Sequence, residues 1–146
     1  MSKFFTYEER LTLQKDLKES KSLKSIAKEL GKNPTTISRE IKKYSSEVAT
    51  GDPGYPYNAC KNRMNCRRKN ICGKDCTHKS AQYCKLCREC NEHCNDFVLE
   101  VCAARFRPPY VCNGCTTIGK CTLMKTIYDA EHAHVAAHNT ISESRS

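Results

Sequence analysis

The sequence contains no tryptophan, no cysteine outside residues 60–121 and no long uninterrupted apolar run. A helix that spans a bilayer needs about 20 predominantly apolar residues, and no stretch approaches that length. The N-terminal stretch MSKFFTYEERLTLQ turns polar at once, so it lacks the apolar core of a secretory signal peptide. These absences predict a protein without a membrane partner that is made and kept in the cytoplasm.

Acidic residues are in the minority, since 16 Asp and Glu stand against 25 Lys and Arg, for a net charge of +9. Residues 1–50 carry 11 basic and 7 acidic side chains (+4), residues 51–125 carry 13 and 6 (+7), and residues 126–146 carry 1 and 3 (−2). A basic body favours a polyanionic partner, nucleic acid before membrane. A charge excess that only keeps a small protein soluble is the alternative.

Glycine and proline are scarce, but two of each fall in TGDPGYPYN, residues 50–58, which predicts a turn-rich linker. The composition changes on either side of it. We therefore predict a mainly α fold in four parts. These are a helix-turn-helix domain (1–49), a linker (50–59), an irregular cysteine-rich module stabilised by zinc (60–121), and a C-terminal helix and tail (122–146).

Three short helices are predicted in the first fifty residues. Thr6 and Glu9 have the spacing of a capping box at the start of the first helix. Ser22 is suited to cap the second helix, and Gly31 follows it, where a left-handed residue is easiest for glycine. Asn33 is a good cap for the third helix. The apolar residues recur at helical spacing, at Tyr7, Leu11, Leu13 and Leu17, then Leu23, Ile26, Ala27 and Leu30, then Ile37, Ile41 and Tyr44.

A tight glycine turn between the second and third helices is the helix-turn-helix pattern. One side of the third helix is apolar, and the other carries hydroxyls near its start and cations further along, which suits a recognition helix in a major groove. We call this set the reading face: Thr35, Thr36, Ser38, Arg39, Lys42 and Lys43.

On the reading face, Arg39 is expected to fork onto a guanine edge, and Lys42 and Lys43 to meet phosphates. A solvated basic face on an ordinary three-helix module is the alternative. Glu40 departs from the commonest pattern, because an apolar residue is usual there, and Ile41 is expected to take over its packing.

Twelve cysteines fall between Cys60 and Cys121, separated mostly by two, three or five residues. Disulfides are rare in reducing compartments, and thiolates at these spacings suit tetrahedral zinc. Three sequential groups of four are expected, although interleaved pairing stays open, as do an iron–sulfur cluster, disulfides and free thiols. The groups are Cys60, Cys66, Cys72 and Cys76, then Cys84, Cys87, Cys90 and Cys94, then Cys102, Cys112, Cys115 and Cys121.

Large apolar side chains are few between residues 60 and 121, too few to offset more than about 1 kcal/mol of conformational entropy per residue. Structural zinc supplies folding free energy directly, so about three structural ions are expected. Four thiolates leave no open coordination position for water, so hydrolytic chemistry is not expected. His78 or His93 can replace a cysteine ligand at one site.

The last segment, TLMKTIYDAEHAHVAAHNTISE, has apolar or weakly polar residues along one helix face. That face is predicted either to pair with a second copy of the chain, to lead into a further segment, or to pack on the cysteine-rich module. His134 and His138, four apart, are expected to be an exposed helical pair rather than a metal site.

The motifs FTYEERL, SLKSIAKELGKNPTTISREIKKY and RPPYVCNGC…KCTLMK together resemble the N-terminal part of an insertion-sequence transposase of the IS-thirty type. The resemblance covers essentially the whole chain, and TTISREIK is its most specific part. It implies sequence-specific binding of double-stranded DNA at terminal inverted repeats, in DNA transposition and recombination. Family members cut and join DNA with a later metal-dependent domain that holds an Asp-Asp-Glu triad.

No residue of this sequence matches that triad, so no catalytic residue is carried over and no enzymatic activity or small-molecule substrate is expected. The resemblance implies a transposase truncated before its catalytic domain and located at the bacterial nucleoid. A small zinc-containing transcriptional regulator or protein-binding adaptor is the alternative function.

Overall fold

The computed structural model describes residues 4–49, 56–72, 83–87 and 90–145, apart from the side chains of 140–145. Cys76, His78 and linker residues 50–55 lie outside this range. The helices are α1 (Tyr7–Lys18), α2 (Leu23–Leu30), α3 (Pro34–Tyr44), α4 (Cys90–His93) and α5 (Ala130–Arg145). Strands β1 (Ser46–Val48) and β2 (Lys125–Ile127) pair. Single-turn 3₁₀ helices occupy Cys84–Leu86, Ala103–Phe106 and Ile118–Lys120 within the described ranges.

The helix boundaries follow the capping residues. The Thr6 hydroxyl accepts a hydrogen bond from the Glu9 amide at 3.1 Å, and the Glu9 carboxylate accepts one from the Thr6 amide at 2.9 Å. Ser22 caps α2 in the same way through the Ser25 amide, at 3.1 Å. Gly31 ends α2 with φ of +67°, in the left-handed region. The predicted capping box and glycine stop are confirmed.

The chain folds into two compact units, and the first comprises the described parts of Met1–Val48, Ala103–Thr116 and Thr126–Ser146. Its core joins α1, α2 and α3 to the residues that lead into and through α5. The side chains buried in this core are Phe5, Leu13, Leu17, Ile26, Ala27, Ile37, Ile41, Tyr128 and Ala133.

The apolar arc of α1 is narrower than the sequence predicts. Leu13 and Leu17 are fully buried, but Tyr7 and Leu11 are 38% and 43% exposed. Residues four apart share a side of the helix, and the side that holds Leu13 and Leu17 is completed by buried Arg10 rather than by Tyr7. A charged side chain thus occupies a core position of α1.

Helix α5 packs on α1 and α3. The amide of Ala130 donates to Gln14 Oε1 at 2.6 Å, and Ala130, Ala133 and Ala137 are buried along the side that faces this core. The predicted apolar face of the C-terminal helix is therefore used, at least in part, within the chain itself. Pairing of two copies through α5 stays a prediction.

The second unit comprises the described parts of Ala49–Cys102 and Thr117–Lys125. An antiparallel bridge joins Cys60 to Leu99, and Arg63 binds Glu100 and Thr122 at 3.0 and 2.9 Å. Large apolar side chains stay in water here, among them Met64, Val98 and Leu99. The expectation that this region lacks an extensive apolar core fits that exposure.

The mainly helical fold with an N-terminal helix-turn-helix is confirmed. In the described part of the chain, no group of three or more His, Cys, Asp or Glu side chains is already arranged to hold a metal ion. The zinc-stabilised character of the cysteine-rich module stays a prediction, and so do the four domain boundaries. None of the helices within the described ranges is long and apolar enough to cross a membrane.

Candidate nucleic-acid interface

The two sides of helix α3 differ in burial. Ile37, Glu40 and Ile41 are buried against the rest of the first unit. Of the reading face, Thr36 and Ser38 are half-buried at its edge, and the exposed members are Thr35, Arg39, Lys42 and Lys43. Four of the six side chains that the sequence predicts to contact DNA are thus exposed on the side of α3 that faces away from its core.

The start of α3 is fixed by the turn before it. Pro34 occupies the first helical position, and the amides of Thr36 and Ile37 donate to the Asn33 carbonyl at 3.0 and 3.2 Å. The Asn33 side chain makes no capping hydrogen bond, although its position is the cap. The two threonines therefore stand on the first turn of α3, at the positive end of the helix dipole.

A buried polar network orients α3. Arg10 Nε of α1 donates to Glu40 Oε2 at 2.8 Å, and the Tyr128 hydroxyl donates to the same oxygen at 2.7 Å. Burial raises the pKa of Tyr128, and the neighbouring Glu40 carboxylate raises it further. Burial lowers the pKa of Arg10, but its bond to Glu40 outweighs this and raises it overall. The network thus holds a charged pair and a neutral phenol behind the reading face.

Glu40 is the residue that departed from the commonest helix-turn-helix pattern. The sequence predicted that Ile41 takes over its packing, and Ile41 is indeed fully buried. However, Glu40 is also buried, with partners 30 and 88 residues away in the chain. No local pattern reveals these partners, because helical periodicity reports only which side of a helix faces inward.

Tyr110 is a neighbour of the reading face that sequence reasoning missed. The ammonium group of Lys42 lies 4.3 Å from the centre of the Tyr110 ring, and Lys43 lies 5.4 Å from that of Tyr44. Such contacts hold a lysine side chain on an aromatic face without neutralising it. The motif RPPY marked this tyrosine only as part of a family resemblance.

A groove of about 520 Å³ runs along the other edge of the reading face. It is lined by Thr36, Arg39 and Lys43 from α3 and by His134 and His138 from α5. Exposed Phe4 also borders it. Cationic, hydroxyl and imidazole groups therefore line one continuous concave surface in the first unit.

The two histidines are bonded to each other. Arg10 Nη1 lies 3.0 Å from His134 Nδ1, so this nitrogen must accept, because a guanidinium only donates. His134 Nε2 then carries the proton and donates to His138 Nε2 at 3.1 Å. His138 is exposed and His134 is half-buried, so the predicted exposure of the pair holds only for His138. The expectation that the pair is not a metal site stays a prediction.

The cysteines are split between the two units. Cys60, Cys66, Cys90 and Cys94 line one small cavity of about 20 Å³ in the second unit. Burial raises the pKa of the Cys90 thiol, a hydrogen bond from Asn91 lowers it, and the nearby thiols of Cys84, Cys60 and Cys66 raise it further. This cavity brings together members of two of the groups predicted from sequence order.

The remaining described cysteines do not line that cavity. Cys72 is exposed, and the Ile71 amide donates to Cys84 Sγ at 3.5 Å. Cys112 and Cys115 belong to the first unit, where the Cys112 amide donates to the Thr126 carbonyl at 2.7 Å. Cys87, Cys102 and Cys121 are half-buried in the second unit. The predicted zinc grouping of these cysteines stays a prediction.

Comparison with known proteins identifies the region that contains α1, α2 and α3. Residues 3–43 match the family of a helix-turn-helix domain, which supports DNA binding and is typical of the N-terminal regions of transposases. The chain is 38% identical over 74 residues to an uncharacterized 14.4 kDa protein of the laf 3′ region of Lactobacillus acidophilus. That alignment covers 47% of this chain and 60% of the relative, so the chain spans less than two thirds of the relative's length. No solved structure matches the chain. The N-terminal segment is a helix-turn-helix domain.

Proposed function

We propose that this protein binds double-stranded DNA sequence-specifically at the terminal inverted repeats of a transposable element, as the N-terminal part of a transposase. The observation that carries the DNA-binding part is the exposure of Thr35, Arg39, Lys42 and Lys43 on the outward side of α3 within a helix-turn-helix domain. The transposon-end part rests on the family resemblance of TTISREIK and the motifs around it.

In this proposal α3 lies in the major groove. Arg39 donates two hydrogen bonds to the O6 and N7 acceptors of a guanine, and the hydroxyls of Thr35 and Thr36 contact bases or phosphates near the start of the helix. Lys43 and Lys42 meet phosphates at the groove edge. Base contacts supply specificity, whereas phosphate contacts supply affinity that falls with salt.

Glu40 supports this role from behind the helix. Its bonds to Arg10 and Tyr128 fix the rotation of α3 about its own axis, which decides where Arg39 points. A recognition helix needs such rigidity, because a displacement of about 1 Å breaks a bidentate contact. Since Arg10 neutralises Glu40 within the network, the buried carboxylate adds little repulsion toward the DNA.

Footprinting over the inverted repeats of a matching element tests the proposal. At moderate salt the chain should protect one or both repeats and leave a scrambled sequence of equal length and composition unprotected. Equal protection of both sequences would reduce the function to non-specific binding. Protection of neither would overturn it.

A second candidate is a small zinc-containing transcriptional regulator or protein-binding adaptor. Met64, Val98 and Leu99 favour it, because these exposed apolar side chains of the second unit suit a protein partner. Under this alternative the chain retains a defined protein partner when Arg39 and Lys43 are both replaced by alanine. Under the first proposal, DNA binding is lost in that variant.

A further inference from the structure

We propose that Cys60, Cys66, Cys90 and Cys94 together bind one zinc ion, so that the ligands come from two distant segments rather than from four consecutive cysteines. This site lies wholly within the second unit and does not depend on the DNA-binding proposal. It departs from the sequential grouping, in which Cys60 and Cys66 belong with Cys72 while Cys90 and Cys94 belong with Cys84.

The backbone brings the two segments side by side. Cys60 bridges Leu99 in antiparallel fashion, the Lys61 amide donates to the Val98 carbonyl at 2.7 Å, and the Glu100 amide donates to the Ala59 carbonyl at 2.8 Å. This pairing aligns the segment that begins at Cys60 with the one that follows Cys94.

Local turns then point each pair of thiols into the cavity. The Cys94 amide donates to the Cys90 carbonyl at 3.0 Å, so Cys94, directly after α4, follows Cys90 by one helical turn. The Cys66 amide donates to the Asn62 carbonyl at 3.0 Å, which closes the turn that carries Cys66 back toward Cys60. All four side chains consequently line the same 20 Å³ cavity.

Two asparagine side chains, of which Asn58 is buried and Asn91 half-buried, join the segments. Asn91 Nδ2 donates to Asn58 Oδ1 at 2.9 Å, and Asn91 Oδ1 accepts from the Ala59 amide at 2.8 Å. Asn58 Oδ1 also accepts from the Cys60 amide at 2.9 Å. Asn58 is only 2% exposed, so this network is part of the interior of the second unit. It fixes the backbone at Cys60 relative to the backbone at Cys90.

The same amides and a nearby guanidinium point donors at the sulfurs. Asn58 and Asn91 donate to Cys90 Sγ at 3.5 and 3.3 Å, and Arg68 donates to Cys94 Sγ at 3.5 Å. Hydrogen bonds of this kind favour the thiolate and hold a ligand in its binding orientation. Donors of this kind are typical of metal-binding thiolates.

The charges around the cavity suit a four-thiolate zinc site. Four thiolates and one Zn²⁺ leave a net charge of −2, and binding releases four thiol protons to solvent. Arg63 and Lys85 line the cavity, and Arg68 lies against Cys94. Because no three described side chains already meet at ligand distance, binding must draw the four sulfurs inward to about 2.3 Å from the ion.

Zinc content measured by elemental analysis in three serine variants of the full chain distinguishes the two groupings. The variants are Cys60→Ser with Cys66→Ser, Cys90→Ser with Cys94→Ser, and the quadruple combination, all purified under reductant. We expect each double variant to lose one zinc per chain and the quadruple variant also to lose one. Loss of two zinc ions in the quadruple variant would overturn the proposal, as would wild-type protein that contains iron or no metal. Exposed Cys72→Ser is the matched control, and it should leave the Cys60, Cys66, Cys90 and Cys94 site loaded.

Thiol alkylation of the wild-type chain gives a second measurement that does not depend on whether a variant folds. Zinc is withdrawn stepwise with a chelator, and each cysteine is quantified by mass spectrometry. Cys60, Cys66, Cys90 and Cys94 should lose protection at the same chelator concentration. If Cys60 and Cys66 instead lose protection together with Cys72 while Cys90 and Cys94 follow Cys84, the sequential grouping is right and this proposal is wrong.

Discussion

Arg10 Nε lies 2.8 Å from Glu40 Oε2, and both side chains are almost fully buried. This ion pair joins the first helix of the domain to its candidate recognition helix. A buried pair of opposite charges adds little net stability, because the desolvation of both groups opposes their attraction. The ion pair instead fixes the orientation of α3, because only one rotation of the helix about its axis brings Glu40 to Arg10.

Replacing Glu40 with alanine is expected to cost about 3–5 kcal/mol of unfolding free energy, because Arg10 is then left as an uncompensated buried charge. Exposed Glu8→Ala is the charge-matched control and should change stability by less than about 0.5 kcal/mol. Urea unfolding followed by helical circular dichroism measures both. The double variant Arg10→Met with Glu40→Leu should recover much of the loss. Equal stability of the Glu40 and Glu8 variants would show that the pair is not buried in solution.

Tyr128 is expected to make the first unit sensitive to alkali. Its pKa is raised in the folded chain by burial and by the Glu40 carboxylate, whereas an unfolded tyrosine ionises near pH 10. The stabilising effect is therefore complete below about pH 10. Above about pH 10 the free energy of unfolding falls by about 1.4 kcal/mol per pH unit, since only the unfolded state loses the tyrosine proton. Tyr128→Phe should remove this part of the slope, and partly exposed Tyr7→Phe should retain it. Identical slopes for the two variants would contradict the assignment.

Two glycines should differ in what an added methyl group costs. At Gly31 the methyl meets nothing within 4 Å, and the cost of about 1 kcal/mol comes only from placing an L-residue in the left-handed backbone conformation. At Gly114 it would lie 2.5 Å from the Leu17 carbonyl oxygen and from the Ser20 hydroxyl. Because backbone must shift there, Gly114→Ala is expected to lose about 1–3 kcal/mol, more than Gly31→Ala. Thermal unfolding of both variants checks the order, and the reverse order would contradict the close approach at Gly114.

The helix starts and stops are what the sequence predicts well. Thr6 with Glu9, Ser22 and Gly31 act through neighbours only three to five residues away, so their spacing contains the whole signal. The buried side of α3 is likewise predicted by the helical spacing of its apolar residues. Local chemistry of this kind needs no knowledge of the rest of the fold.

The sequence does not show which buried polar side chains bind each other or which cysteines lie together. Glu40 meets Tyr128 across 88 residues, and Asn58 meets Asn91 across 33. Helical periodicity and capping motifs contain no information about contacts between residues so far apart in the sequence. For the cysteines, sequential grouping minimises loop length, but closure entropy grows only logarithmically with length, so pairing of distant segments was never strongly disfavoured.

Metal removal should affect the two units differently. The core of the helix-turn-helix domain contains no cysteine, so a chelator under reducing conditions should leave its helical circular dichroism signal in place. Proteolysis should become faster within residues 60–121, where all twelve cysteines lie, and should stay unchanged within α1, α2 and α3. A cooperative loss of the whole helical signal on chelation would show instead that the domain requires the metal.

DNA affinity as a function of salt concentration, measured by fluorescence anisotropy for wild type, Arg39→Ala and Lys43→Ala, shows whether α3 is the recognition helix. Arg39→Ala should cost about 1–3 kcal/mol on the inverted-repeat sequence and relax one base preference. Lys43→Ala should weaken specific and scrambled DNA alike and reduce the slope of log affinity against log salt by about 1. Lys15→Ala, an exposed cation on α1, is the control and should change neither. If Arg39→Ala and Lys43→Ala bind both DNAs with the affinity and salt dependence of the wild type, α3 is not the recognition helix.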